Sequence, residues 1–291
     1  MQVPDIGKIT IDTIYIPFLQ NKNVQIDVLR LDKIHPVISG NKWFKLKYHL
    51  DNFNAGNYNG IITFGGAWSN HIVATAYACC LQKINCAGII RGEKPLQLSA
   101  ALVNAEQYGM KLRFVSRESY KDKTNDKFIE VVKKDFPRYY IIPEGGAGDE
   151  GEKGAAEIFD LLPANNYTHI ISAVGTGTMF NGVKRSAKNE DVIGIVVLKG
   201  WQQATNSVSG NLFYDYHFGG YAKFNSDLIH FMNDFFKLTN IPTDFVYTGK
   251  LAYAIYDLIK KDHFKPTSKI LMIHSGGLQG NASLQKGSLI F

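Results

Sequence analysis

Short apolar runs alternate with amphipathic stretches along most of the chain. Residues 60–64 form an apolar run that ends in Gly65-Gly66. Residues 69–81 follow, with Ile72, Ala76, Cys79 and Cys80 at helical spacing and Ser69 or Asn70 able to cap. The pattern then predicts strands over 85–90, 111–115 and 139–142. Between them it predicts helices over 96–108, stopped by Gly109, and 125–135, broken by Pro137. A second run has a helix over 154–161, a strand over 168–174 and a helix over 179–188. After these come a strand over 192–198, helices over 226–239 and 250–261, and a last strand over 269–274. Ahead of residue 42, residues 13–16 and 24–31 alternate as hairpin strands would. Strands alternating with helices imply parallel sheets, so the expectation is α/β, with two such units sharing one cleft. No internal repeat or low-complexity linker divides the 291 residues.

Composition sharpens this in one respect. Glycine numbers 27, where average usage of about 7% would give roughly 20. The surplus is clustered at Gly65-Gly66, Gly145-Gly146, Gly175-x-Gly177, Gly219-Gly220 and Gly276-Gly277. Several clusters end predicted strands, where ligands of parallel sheets bind. The net charge of +6 is thin for this length, and the dense stretch 121–134 mixes Lys with Asp and Glu. That reads as a solvated helix face rather than a nucleic-acid groove. Cys79, Cys80 and Cys86 have neither disulfide nor zinc spacing and read as buried thiols. No apolar run is long enough to span a bilayer, and residues 1–10 lack a signal-peptide pattern. A cytoplasmic enzyme without a metal is the expectation.

Three segments could carry chemistry. Gly175-Thr176-Gly177-Thr178 follows a strand and opens a helix, so its amides and hydroxyls suit a phosphate. A plain tight turn fits equally well. It is not a nucleoside-triphosphate loop, because no Lys-Ser/Thr follows. It is not the dinucleotide fingerprint either, because Phe180 stands where a third Gly would. In Gly40-Asn41-Lys42-Trp43-Phe44-Lys45, the two lysines share a helix face. A cationic neighbour and burial would favour a neutral amine able to form a Schiff base; solvated lysines are the plainer reading. In Gly65-Gly66-Ala67-Trp68-Ser69-Asn70-His71, Ser and Asn either cap a helix or receive a carboxylate.

Taken in order, these motifs, with Tyr247-Thr248-Gly249-Lys250 and His274-Ser275-Gly276-Gly277-Leu278, resemble the 1-aminocyclopropane-1-carboxylate deaminase / D-cysteine desulfhydrase family. The resemblance runs from Ile34 to Gly280. It implies a two-domain fold type II architecture of the tryptophan-synthase β-subunit kind, with pyridoxal 5′-phosphate in the cleft. The expected division is a large domain of 1–44 plus 147–291 and a small inserted domain of 45–146. It also implies site residues. Lys42 holds the cofactor as a Schiff base and moves the α-proton, and Lys45 lies near the phosphate. Gly175, Thr176, Gly177 and Thr178 form the phosphate loop. Ser69, Asn70 and His71 bind the substrate carboxylate, with Asn70 also beside the ring. Tyr221 and Tyr247 are active-site tyrosines, and Thr248 and Ser275 fall near the pyridine nitrogen.

In deaminases of this family that open a cyclopropane, the residue after the second tyrosine is glutamate. Here it is Thr248, as in the desulfhydrases. The implied activity is β-elimination from a small amino acid such as D-cysteine, giving pyruvate, ammonia and sulfide. Cyclopropane ring opening to 2-oxobutanoate and cofactor binding without turnover are the alternatives. A homodimer is implied by the resemblance, with neither nucleic acid nor membrane as partner. Trp43, Phe44 and Trp68 depart from the family pattern. Phe44 is expected to pack in the core.

Overall fold

Serine and asparagine side chains set where several helices begin. In the computed structural model, which describes residues 2–163, 167–200 and 208–291, Ser69, Ser99, Asn125 and Asn225 each accept a main-chain N–H of the first turn. Each such cap is worth about 1 kcal/mol. The strands are β1 (Ile11–Ile14), β2 (Gln25–Arg30), β3 (Gly60–Gly66), β4 (Cys86–Arg91), β5 (Met110–Val115), β6 (Tyr139–Ile142), β7 (His169–Val174), β8 (Asp191–Val196), β9 (Asn211–Phe213) and β10 (Lys269–His274). The helices are α1 (Pro17–Lys22), α2 (Asn41–Ala55), α3 (Asn70–Leu81), α4 (Ala100–Gln107), α5 (Asp126–Asp135), α6 (Asp149–Ala156), α7 (Thr178–Ser186), α8 (Ser226–Thr239) and α9 (Thr248–Lys260).

The strands form two sheets. One has the order β1-β2-β10-β7-β8-β9 and the other β5-β4-β3-β6. The smaller sheet is parallel throughout. In the larger, only β1 runs antiparallel, against β2. The expected hairpin strands therefore pair, with α1 between them. Residues of β3, β7, β8 and β10 are buried almost end to end, as sheets covered on both faces require. Apolar clusters cover both faces of each sheet. Phe44 lies in one of these, and Trp43 packs against clusters of both sheets. Cys79 and Cys86 are buried thiols, and none of the three cysteines forms a disulfide. The charged stretch around α5 is largely exposed.

Among the element boundaries that differ from the sequence reading, three helix starts have a clear local cause. Helix α4 starts at Ala100 rather than 96, because Ser99 caps it. Helix α6 starts at Asp149 rather than 154, and it contains Gly151 and Gly154. A Cβ on Gly154 would sit 1.8 Å from the Phe44 carbonyl oxygen, and one on Gly182 of α7 would sit 2.5 Å from the Glu152 carbonyl. Helix α6 thus lies backbone-close between α2 and α7, which a larger residue at Gly154 would prevent. Helix α9 starts at Thr248 rather than 250, because Asp244 caps it.

Candidate active site

Helix α2 starts where β10 ends. Gly40, at φ +66°, precedes the helix, and a Cβ on it would sit 1.8 Å from the Ser275 carbonyl oxygen. The Asn41 N–H donates to that same oxygen at 3.2 Å. This contact sets Lys42 against the turn Ser275-Gly276-Gly277. The Lys42 Nζ donates to Asn41 Oδ1 at 2.6 Å. Its remaining accessible surface faces a cavity, while protein surrounds it on the other sides. That burial lowers its pKa to about 8, against a smaller opposing pull from Asp244. A lysine with that pKa has a far larger neutral fraction near neutral pH than an ordinary lysine.

One turn on, Lys45 is buried. Its Nζ donates to the Gly145 carbonyl at 3.2 Å and to Thr176 Oγ1 at 3.3 Å. Gly145 follows β6 of the smaller sheet and Thr176 follows β7 of the larger. Burial, then the Lys42 charge, push the Lys45 pKa well down, with Glu152 opposing. A buried amine without a carboxylate beside it is suited to an incoming anion. The turn from Gly175 to Thr178 supplies more donors. Gly177, at φ +85°, leads into α7, whose first amides have no intrahelical partner. The Thr176 and Thr178 hydroxyls lie 3.0 Å apart.

Ser69, Asn70 and His71 leave the end of β3. Ser69 Oγ accepts from the Ile72 N–H at 3.4 Å. Asn70 Nδ2 donates to the Gly277 carbonyl at 3.5 Å. The His71 ring is buried, with Nε2 2.7 Å from Thr63 Oγ1, and Thr63 donates its own proton to the Ile142 carbonyl. Nε2 therefore carries the hydrogen and Nδ1 is a buried acceptor with no partner. Burial, then Lys42 and Lys45, hold the ring well below its usual pKa, hence neutral. As an acceptor the bare Nδ1 cannot bind a carboxylate, so His71 can offer only its main-chain N–H at the start of α3 to one.

Tyr221 and Tyr247 face one another, with ring centroids 6.4 Å apart. Burial raises both hydroxyl pKa values, that of Tyr247 the more strongly. Both are therefore protonated proton holders at neutral pH. Two residues that sequence reasoning passed over position them. Asp244, fully buried, accepts from the main-chain N–H groups of Val246, Tyr247 and Thr248 at 2.9 Å each. Lys250, also fully buried, donates to the carbonyls of His217 and Gly220 at 2.8 Å, which pins the turn before Tyr221. Burial lowers the Lys250 pKa to about 8. An Asp followed within four residues by a helix start was the readable signal for the first. Contacts spanning 30 and 33 residues left no local signal for the second.

These groups surround one cavity of about 470 Å³. It is lined by Lys42, Lys45, Ser69, Asn70, His71, Gly175, Thr176, Gly177, Tyr221, Tyr247 and Ser275. Thr178 and Thr248 are buried and are not among the lining residues. The Thr248 hydroxyl donates to Asp244 Oδ1 at 2.7 Å and accepts from the Asp244 N–H at 2.7 Å. The capping carboxylate thus engages the hydroxyl that the resemblance set near a ring nitrogen. Trp68, 38% exposed, is likewise not a lining residue. Among the described residues no cluster of metal-ligating side chains occurs, and no helix is long and apolar enough to cross a membrane.

No protein-family model matches the chain. Curated relatives do. A protein of Pyrococcus abyssi named "Putative 1-aminocyclopropane-1-carboxylate deaminase" is 27% identical, covering 91% of this chain and 88% of its own. One of the same name from Thermotoga maritima is 28% identical, with coverages of 88% and 89%. A bifunctional D-cysteine desulfhydrase/1-aminocyclopropane-1-carboxylate deaminase of Arabidopsis thaliana is 27% identical, with coverages of 91% and 75%. Among solved structures, an ACC deaminase homologue superposes with TM-score 0.80 at 25% identity, over 94% of this chain and 90% of that one. An O-acetylserine dependent cystathionine β-synthase from Helicobacter pylori shares the fold at TM-score 0.70 and 14% identity, covering 98% and 99%. The architecture is that of the fold type II pyridoxal-phosphate enzymes. Within that class, the chain is related to the 1-aminocyclopropane-1-carboxylate deaminase and D-cysteine desulfhydrase proteins over most of its length.

Proposed function

We propose that the chain is a pyridoxal 5′-phosphate enzyme that eliminates a β-substituent from a small amino acid, most like D-cysteine desulfhydrase. The observation that carries the reading is the lysine pair of α2. Lys42 presents an amine with a pKa of about 8 to the cavity, and Lys45 holds a buried amine against the 175–178 turn. That donor set fits an aldehyde-bearing phosphate. When bound, the cofactor supplies the electron sink that makes a substrate Cα–H acidic.

Lys42 would hold the cofactor and then carry the α-proton. Lys45, the amides of Gly175 and Gly177, and the Thr176 hydroxyl would receive the phosphate, with the Thr178 hydroxyl acting through that of Thr176. Asn70, tethered to Gly277, would lie beside the ring, with the Ser275 hydroxyl towards its nitrogen and Thr248 acting only through Asp244. Ser69 and the amides of Asn70 and His71 would orient the substrate carboxylate. Tyr221 and Tyr247, both held protonated, would deliver a proton to the leaving group. The distribution of strands between two sheets supports a large domain of 1–44 with 147–291 and a small one of 45–146. The family resemblance favours a homodimer, and the buried thiols of Cys79 and Cys86, neither in a disulfide, favour a cytoplasmic location.

The names of the relatives favour a second reading, 1-aminocyclopropane-1-carboxylate deaminase. Threonine rather than glutamate at 248 is the residue that favours elimination. Sulfide from D-cysteine and 2-oxobutanoate from the cyclopropane acid, assayed side by side, separate the two. Cofactor uptake with spectral response to amino acids but neither product would leave a binding protein. Failure to take up pyridoxal phosphate, or an unchanged visible band after Lys42→Ala, would overturn the whole reading.

A further inference from the structure

The mouth of the cavity carries positive charge that neither the phosphate nor the α-carboxylate would use. Arg91 ends β4, and its register partner is Gly66 at the end of β3, three residues before Ser69. A Cβ placed on Gly66 would lie 3.6 Å from Nη2 and 4.0 Å from Nε of Arg91. The guanidinium therefore lies over the strand end from which Ser69, Asn70 and His71 depart, and it lines the same cavity. Glu144, the acid in the cavity wall, pairs with Lys123 at 3.4 Å. Among the described residues no carboxylate comes within ion-pair distance of Arg91. Its side chain rests 6.0 Å from the Tyr120 ring centroid, a contact that leaves its N–H donors available. Arg91 and the proposed proton donor Tyr221 line the same cavity, and the Arg91 charge opposes the rise that burial and Glu144 impose on the Tyr221 pKa. Lys199 and Lys223 line the mouth as well, each without an acid partner among the described residues.

Lys45 and the 175–178 turn account for a phosphate, and Ser69–His71 for one carboxylate. A planar guanidinium left over beside them is shaped for a second carboxylate-like group held by two parallel hydrogen bonds. We infer that, beyond the neutral thiol of cysteine, this site also takes α-amino acids with an anionic group on the side chain, and that Arg91 is the residue that receives that group. The inference deepens the proposed function and rests on it, because it presumes an amino acid seated over the cofactor.

Aspartate and asparagine are near-isosteres that differ in charge, so they isolate the effect. The holoprotein is titrated with each, in both D and L forms, and binding is read from the change in the cofactor's visible absorbance. Cysteate and serine serve as a second anionic and neutral pair. One enantiomer of aspartate is expected to bind about 10- to 100-fold tighter than its asparagine counterpart, the range for a charge-assisted bidentate pair. Arg91→Gln is expected to retain the cofactor band and abolish that ratio, and Arg91→Lys to restore only part of it. Equal binding of aspartate and asparagine by the wild type would overturn the inference, as would a ratio that survives Arg91→Gln. Failure to take up the cofactor, or a band that answers to no amino acid, would instead count against the proposed function itself.

Discussion

The Lys45 Nζ lies 3.3 Å from the Thr176 hydroxyl, although 131 residues separate them in the chain. The same nitrogen reaches the Gly145 carbonyl at 3.2 Å. One side chain on α2 thus joins the loop after β6 to the loop after β7, across the two sheets. Lys45→Met should weaken pyridoxal phosphate binding by about 10- to 100-fold, the range for loss of one charge-assisted hydrogen-bonded contact. Titration of the apoprotein with the cofactor measures it. An unchanged affinity would remove Lys45 from the phosphate site.

Lys42 makes cofactor uptake pH-dependent. Only the neutral amine can attack an aldehyde. Below a pKa of about 8 the amine is mostly protonated, and above it mostly free. Uptake should therefore speed up with rising pH and level off above about 8, rather than near 10.4 as for an ordinary lysine. Stopped-flow absorbance between pH 6 and 10.5 places the midpoint. A midpoint close to that of free lysine would show that burial does not act on this amine.

Thr248 and Asp244 form a closed pair, each donating to the other. Thr248→Val keeps the shape but removes both bonds, at a cost of about 1–3 kcal/mol. Chemical denaturation reads that loss. Thr248→Glu should cost more, because it sets a second carboxylate against a buried first one. Ring-opening activity is accordingly not expected from that single change. A stable Thr248→Glu protein would show that the pair matters less than its geometry suggests.

Lys250 holds the turn before Tyr221 by the His217 and Gly220 carbonyls. Lys250→Met removes the ammonium from both carbonyls and leaves them only the Gly220 and Lys223 main-chain N–H groups, at a cost of about 1–3 kcal/mol for lost bonds to a charged donor. Turnover should fall further than substrate affinity, since Tyr221 is proposed to act on the leaving group. Steady-state kinetics separate kcat from KM. Equal changes in both would assign Lys250 a purely structural part.

Gly154→Ala should separate α6 from α2, because the added carbon would sit 1.8 Å from the Phe44 carbonyl oxygen. Overpacking of this kind costs about 1–3 kcal/mol or more. It should also loosen cofactor binding through Lys45, the next residue along α2. Thermal denaturation with and without cofactor tests both effects.

The buried parallel strands were legible because burial on both faces makes them short continuous apolar runs, as in β3, β7 and β10. The three-residue β9 was too short to register. The start of α6 was missed because Gly151 argues against a helix there, costing about 1 kcal/mol locally; the close packing of α6 against α2 and α7 overrides that cost. Within the site, the motif residues could be named but not arranged. Residue type alone left Lys42 and Lys45 as ordinary helix lysines, and only burial separates them from such. Lys250 and Arg91 were unreadable, since each gains its meaning from chain segments distant in sequence.

The placement of Lys42 and Lys45 on a single helix has a geometric consequence. A helix rises about 1.5 Å per residue and turns about 100°, so their three-residue separation works as a ruler. The span between the two amines is set by backbone pitch rather than by an adjustable loop. One residue inserted between them would swing one lysine a quarter-turn or more out of the cavity. A cofactor analogue with a lengthened phosphate arm would overrun the second mark.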